Sequence, residues 1–281
     1  MSKNVSSTQQ TRFAVIESLL RWEGQISNRR LRQILGLKAV PVSRLIAAYR
    51  RAFPEVLRED RKYKRFVADR EVKVSFAFGH LHEYGHYVLS QPNSEREFED
   101  LTIDRVAIVP KQFALLRSSI EDLSWLLLTY HVRGAERPEQ YQLRPQHLIR
   151  SILGWYLRAY VETTKSYATF NLGRIHAAQR LEPVAAQEPE MADAGWNKFV
   201  ALRFRAHTRL SAADEPGVRR EFFGGAAGRR ISVRQCLAPI VLYEWRVAVD
   251  PFKQAPPDYQ LELANAEELK KAGVDFAQSH L

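Results

Sequence analysis

The chain holds one cysteine, Cys236, among 281 residues. A single thiol cannot close an internal disulfide, so no oxidised scaffold is expected. No run of about 20 apolar residues occurs, which argues against a membrane-spanning helix, and the polar stretch from Met1 to Arg12 lacks the apolar core of a secretory signal. These absences predict a soluble, cytoplasmic protein with no membrane partner. A composition of 45% hydrophobic and 26% charged residues excludes collagen-like, low-complexity and wholly disordered chains. Single cores rarely grow past about 250 residues, so this length predicts two or three domains.

What the chain does have is basic charge, unevenly placed. Its net charge is +10, and residues 1–70 hold 16 Lys and Arg against 6 Asp and Glu. The remaining 211 residues balance at 26 of each sign. A basic segment joined to a neutral body points to a polyanion-binding module with something else attached.

That segment reads as a helix-turn-helix. Phe13, Ile16, Leu19 and Leu20 form one apolar stripe between Thr11 and Trp22, and Gly24 suits a left-handed cap. Ser27 is a candidate N-cap for a short second helix, Asn28 to Leu35, with Ile26 and Leu31 as its hydrophobic staple. A third helix begins near Pro41 and stops before Pro54. Val42, Leu45, Ile46 and Tyr49 share one face of it. Ser43, Arg44, Ala47, Arg50 and Arg51 fall on the other, a face suited to a major groove, where arginine reads guanine edges and Ser or Arg holds phosphate. Arg29, Arg30 and Lys38 extend this surface. Two short apolar runs, Val56-Leu57 and Phe66-Val67, flank a basic tip that includes Arg61, Lys62 and Lys64. This predicts a β-hairpin wing, and with it a winged helix-turn-helix that binds double-stranded DNA. A small three-helix domain with a solvated basic surface would carry the same charge without that function.

His82-Glu83-Tyr84-Gly85-His86 matches H-E-x-x-H, the pattern of two zinc-binding histidines and a water-activating glutamate. Gly85 and the nearby Gly79 weaken the helix this chemistry needs. Glu95, Glu97 and Glu99 have no apolar helix to frame them as a third ligand. The expectation is a polar connector with an accidental motif, with no metal, no cofactor and no catalytic residues.

Beyond residue 111 the pattern changes. A short helix is predicted over Gln112 to Asp122, then a strand within Leu123 to Val132, and further short strands at Trp155 to Val161 and Tyr167 to Asn171. Short strands at near-regular spacing suggest a small barrel. The order Tyr130, Pro145-x-His147-Leu148, Trp155-Tyr156-Leu157-Arg158-Ala159-Tyr160, then Phe170-x-Leu172-Gly173-Arg174-Ile175 resembles the WYL domain, which the tripeptide names. Gly217 to Phe222, Ile231 to Leu237 and Leu261 to Asn265 resemble one branch of WYL-domain transcriptional regulators, the phage-defence-associated repressors of the BrxR/CapW kind.

The resemblance implies an α+β chain with an N-terminal winged helix-turn-helix, a central Sm/SH3-like β-barrel and a small C-terminal α/β domain. The expected boundaries are 1–75 for DNA binding, 76–111 for a helical connector, 112–185 for the WYL domain and 190–281 for dimerisation. It implies a homodimeric repressor at an inverted-repeat operator, sensing a nucleic-acid or nucleotide effector. Carried over by position, the ligand residues are Tyr130, His147, Arg158 and Arg174, with Arg144 and Arg150 nearby and Tyr156 of the tripeptide as a further candidate. Arginines pair with phosphates and Tyr or His stack on bases. Gly173 departs from the Asp or Ser of many relatives and Tyr156 from a frequent His. Trp155 and Leu157, two apart on a strand, read as core. The alternatives are a constitutive nucleic-acid-binding accessory protein and, remotely, a zinc peptidase.

Residues 183–189 read as a linker, Trp196 to Arg209 as a strand, Val218 to Phe223 as a helix and Arg234 to Arg246 as another helix. Gly224 to Gly228 is a turn without the context of a phosphate-binding loop. Cys236 is expected to be a buried thiol.

Overall fold

A computed structural model describes residues 6–68, 72–89, 106–181 and 192–276. The chain divides into two compact units, residues 1–102 and 103–281. Among the described residues no helix is long and apolar enough to cross a membrane.

The first unit contains α1 (Ser7–Glu23), β1 (Gln25–Ile26), α2 (Asn28–Leu35), α3 (Ala39–Ala52), β2 (Leu57–Asp60), β3 (Arg65–Ala68) and α4 (Leu81–Leu89). Local chemistry sets the helix ends. Gly24 and Gly36 take the left-handed conformation after α1 and α2, and the Ser27 side chain accepts from the Arg30 amide. α3 starts two residues before Pro41, because a proline in the first turn removes an amide that has no helical partner anyway. The expected stripes of α1 and α3 are buried together with Leu31 and Ile26. Leu19, Leu31 and Val42 are wholly enclosed, and burying an aliphatic side chain of this size stabilises by about 1.5–3 kcal/mol. The three strands pair in the order β1-β3-β2, so the hairpin wing is anchored by β1.

One buried residue breaks the amphipathic pattern. Glu17 lies in the middle of α1 with no exposure. Its Oε2 accepts from the backbone amides of Ser75, Phe76 and Ala77 at 2.8, 2.8 and 3.0 Å. A buried carboxylate is tolerable when donors converge on it, and these three pin a loop to α1. Phe76 then meets Phe13 and Phe53 edge-on.

The span 76–111, read from sequence as a connector, splits between the units. α4 places Tyr84 and Val88 in the core of the first. The motif around Gly85 is helical despite its glycine; Gly79 lies before the helix, and its amide donates to Glu83.

The second unit begins with α5 (Pro110–Glu121), followed by β4 (Leu126–Tyr130), β5 (Glu139–Ser151), β6 (Gly154–Val161), β7 (Ser166–Asn171) and β8 (Ile175–Arg180). The antiparallel order is β7-β6-β5-β4-β8. The two outer strands, β7 and β8, are joined only by the one-turn 3₁₀ helix Leu172–Arg174. A flat five-stranded sheet would separate them by about 19 Å, beyond the roughly 14 Å that such a link spans. The sheet must therefore curl on itself, as a small Sm/SH3-like barrel does. β5 serves both halves of the curl, pairing with β4 through Leu143 and with β6 from Leu143 onward. Leu126, Leu128, Tyr130, Leu143, Leu157, Ala159, Val161 and Phe170 fill the interior, with Leu116 from α5. Trp155 lies half-buried edge-on against Phe113, on the same side as Leu157.

Past residue 191 come α6 (Ala194–Asn197), β9 (Phe199–Ala206), α7 (Glu215–Phe223), β10 (Gly228–Arg234), α8 (Ala238–Glu244), β11 (Val247–Ala248), β12 (Leu261–Leu263) and α9 (Ala266–Lys271). The strands form a sheet ordered β10-β9-β12-β11. The single helix expected over Arg234 to Arg246 is not formed. Arg234 ends β10, Gln235–Leu237 is a 3₁₀ turn, and α8 starts where Pro239 fits a first turn. Likewise Trp196 belongs to α6, and the strand covers only 199–206. Cys236 is buried, and burial pushes its thiol up. The expected linker at 183–189 lies outside the described residues.

Candidate functional site

Two surfaces hold the residues singled out from sequence. On the first unit, Ser43, Arg44, Ala47, Arg50 and Arg51 are all exposed along α3, opposite Val42, Leu45, Ile46 and Tyr49. Asn28, in the first turn of α2, donates to the Ala39 carbonyl at 3.0 Å and to Ser43 Oγ at 2.9 Å. That contact fixes the approach of α2 to α3 and leaves the Ser43 hydroxyl proton free to donate outward. The Arg50 guanidinium lies 5.0 Å from the Phe66 ring centre, which ties the helix to the wing. Arg61, Lys62 and Lys64 are exposed at the hairpin tip, where Lys64 has a positive φ of 51°. Arg65 closes the turn end of the hairpin, opposite Asp60 and bonded to it at 3.0 Å and to Gln25 at 2.6 Å.

Arg29 and Lys38 are exposed, but Arg30 is occupied. Its guanidinium grips Glu23 through Nε (3.0 Å) and Nη2 (2.6 Å), and Tyr84 donates its hydroxyl to the same carboxylate at 3.1 Å. Burial and the Glu23 charge push the Tyr84 phenol up to about 12. This cluster joins α1, α2 and α4. The neighbouring Glu83 is also engaged, accepting from the Gly79 amide and the Tyr87 hydroxyl at 3.0 and 3.1 Å. Among the described residues no group of three metal-ligating side chains gathers, at His82 and His86 or elsewhere. Glu95, Glu97 and Glu99 lie outside the described residues.

On the second unit, strand register sorts the candidate ligand residues. Directly opposed residues share a face, so His147, Arg158 and Thr169 form one row across β5, β6 and β7. Arg144, Tyr160 and Tyr167 form the next row, and Tyr156 stands beside Asn171 on the same side. Arg144 and His147 are three residues apart and should face opposite ways. A bulge between Pro145 and His147 brings them to one face. Arg150 is exposed and opposes Trp155, on the other face. Tyr130 and Arg174 sit at a different place, where β7 passes into β8. The buried Tyr130 hydroxyl accepts from the Asn171 amide at 3.1 Å, and Arg174 holds Nη1 buried with no hydrogen-bond partner among the described residues.

The face carrying Arg158 is not open to solvent. Arg158, only 5% exposed, bonds Asp193 through both Nε (2.7 Å) and Nη2 (2.9 Å), and Nη1 donates to Thr169 at 3.1 Å. Burial alone would raise the Asp193 carboxyl, but the Arg158 hydrogen bonds and charge and the Trp196 and Gly195 amides outweigh it and hold it low. The His147 ring stacks on Trp196 at 3.9 Å and 8°. Burial lowers the tendency of His147 to protonate, which suits a neutral stacked ring. Arg144 and Tyr156 are also buried. Sequence reasoning missed Asp193 and Trp196, since nothing local marks a carboxylate or an indole as the cover of a distant strand.

Comparison with known proteins gives three family matches in chain order. Residues 8–90 match the BrxR transcriptional regulator winged helix-turn-helix domain, residues 111–180 the WYL domain, and residues 199–269 the BrxR transcriptional regulator C-terminal dimerization domain. A protein described as the DNA-binding transcriptional repressor CapW of Escherichia coli (strain KTE188) is 24% identical over 274 residues, covering 93% of this chain and 90% of its own. The protein of the same description from Pseudomonas aeruginosa is 24% identical over 275 residues, covering 93% and 91%. Among solved structures, the proteasome accessory factor B/C (PafBC) of Arthrobacter aurescens aligns at 13% identity with a TM-score of 0.28. It covers 100% of this chain and 49% of that one, a likeness too slight to argue from.

Proposed function

We propose that this chain, a WYL-domain protein with a BrxR-type winged helix-turn-helix at one end and a BrxR-type dimerization domain at the other, is a homodimeric DNA-binding transcriptional repressor. The observation that carries the reading is the facial division of α3, with an enclosed apolar side and an exposed side of Ser43, Arg44, Ala47, Arg50 and Arg51 continued by the basic wing. A helix of this kind enters a major groove while a wing contacts the backbone. Two copies related by a two-fold axis would fit an inverted repeat. The resemblance to BrxR-type regulators supports a phage-defence operon as the target.

The WYL barrel is the sensing element in this reading, taking a nucleic-acid or nucleotide effector. The buried Arg174 Nη1 supports it: the guanidinium meets the Tyr130 hydroxyl, yet Nη1 has no hydrogen-bond partner among the described residues, and a donor left over on a cation is what an anion satisfies. An effector that binds one of two states more tightly lowers operator affinity by that difference.

Footprinting on the DNA upstream of the gene tests the reading. Protection should fall on an inverted repeat and fade in Arg44→Ala and Arg50→Ala variants that remain folded. A footprint indifferent to sequence refutes operator recognition. In a reporter strain, Arg174→Ala should still repress but no longer respond to inducing conditions; loss of both would mean that the residue is structural.

A further inference from the structure

The turn from Asp193 to Trp196 lies across the barrel face that carries Arg158 and His147. It brings a carboxylate to the Arg158 fork in a bidentate pair and, three residues on, a flat bicyclic ring to the face of His147. Bidentate guanidinium pairing is how arginine holds phosphate, and stacking on a planar side chain is how a protein holds a base. An anion and a planar ring on one short segment are the two recognition features of a nucleotide.

The rest of the turn fits a piece that seats and unseats. α6 is a single turn with no buried residue of its own. Gly195 lies where a Cβ would come within 3.4 Å of Arg158 Nη2 and 3.3 Å of the Cys236 Cβ, so the backbone rests close on the guanidinium. The turn's backbone is tied to the C-terminal sheet, where Arg234 at the end of β10 donates to the Trp196 carbonyl and the Gln235 amide donates to the Lys198 carbonyl.

We infer that the Asp193–Trp196 turn is an internal competitor, occupying the phosphate and base positions of a nucleotide site on the barrel face formed by Arg158, Thr169 and His147. This rests on the sensing reading above and gives it a regulation. A nucleotide effector binds by displacing the turn, with its phosphate taking the Arg158 fork and its base the His147 ring. The displaced turn remains attached to β9 and β10, so its release loosens the hold of the barrel on the dimerization domain. The effector's apparent affinity is set by the fraction of molecules in which the turn is already out.

The test uses the full chain and two probes, ATP and a labelled oligo(dT) 12-mer, which distinguish a free nucleotide from a single strand. The double variant Asp193→Asn, Trp196→Ala should bind one of them about tenfold or more tightly than the unaltered protein. Adding Arg158→Ala to that variant should abolish the gain. Should the double variant misfold, amide exchange in the unaltered protein decides. The probe that binds should speed exchange of the Trp196, Asn197 and Lys198 amides. Equal affinity of variant and unaltered protein, or unchanged exchange on binding, overturns the competitor while leaving the sensing reading in place. Failure of both proteins to bind either probe overturns the competitor and the nucleotide-sensing reading together.

Discussion

Replacing Arg30 and Arg44 separately by alanine distinguishes the arginines that hold the helix-turn-helix together from those that meet DNA. Both lie in the basic segment and would be grouped by charge alone. Arg44 is exposed in mid-α3, with no hydrogen-bond or ion-pair partner among the described residues. Arg30 is spent on Glu23, with side chains 15% and 19% exposed. Each phosphate neutralised on duplex DNA contributes about 0.9 to the slope of log affinity against log salt. In a two-fold dimer Arg44→Ala removes two such contacts, so the slope should fall by about 1.8. Between 50 and 200 mM salt, the affinity of the unaltered protein would then drop about 12-fold more than that of the variant. Arg30→Ala should leave the slope alone. It strands Glu23 in a partly enclosed site, and a loss of about 1–3 kcal/mol lies between the costs of breaking surface and buried pairs. Fluorescence anisotropy of a labelled upstream duplex across a salt series reads the first quantity, and urea unfolding reads the second. If Arg30→Ala flattens the salt slope without lowering the urea midpoint, the structural assignment of Arg30 is refuted.

Two further outcomes concern buried carboxylates. Glu17→Ala removes the acceptor of three amides, each costing about 1–3 kcal/mol when left unmet. Urea unfolding of this variant should show a loss of about 3 kcal/mol or more, with Glu17→Gln intermediate; a loss under about 1 kcal/mol would mean that water replaces the carboxylate. Asp193 and Glu262 are both held low in the folded chain: burial opposes this, but Arg158 for the first and Thr208 and Arg205 for the second prevail. A depressed carboxyl adds stability above its unfolded value, near 4, and loses it as pH falls through the folded one. The urea midpoint should therefore drop as pH is lowered below about 4, and less steeply in Asp193→Asn. An unchanged pH dependence in that variant would show that the pair contributes nothing to acid sensitivity.

The parts of the fold legible in sequence were those written locally. Ser27, Gly24 and Gly36 mark helix ends because capping is a matter of neighbouring residues. The stripes of α1 and α3 declare their buried faces by spacing alone. Glu17, Arg30 and Arg158 are different. Each is a charged residue whose burial depends on partners elsewhere: Glu17 on amides 58–60 residues away, Arg158 on a carboxylate 35 residues away, and Arg30 on a glutamate one helix back. No local pattern separates such a residue from a solvated one. The bulge after Pro145 was equally silent, yet it places Arg144 and His147 on one face.

The closing strand of the barrel has a consequence for the chain as it emerges during synthesis. β5, β6 and β7 pair with sequence neighbours, so those hairpins can form early. β4 pairs on its far side with β8, about 50 residues later. Until residue 180 is available, one edge of the meander is the strand Leu126-Leu127-Leu128-Thr129-Tyr130, left unpaired on its far side. An apolar strand with unpaired amides and carbonyls is a template for joining another chain. The short 3₁₀ link therefore does more than curl the sheet: it delivers β8 to that edge as soon as the strand exists, shortening the interval in which a nascent chain can aggregate.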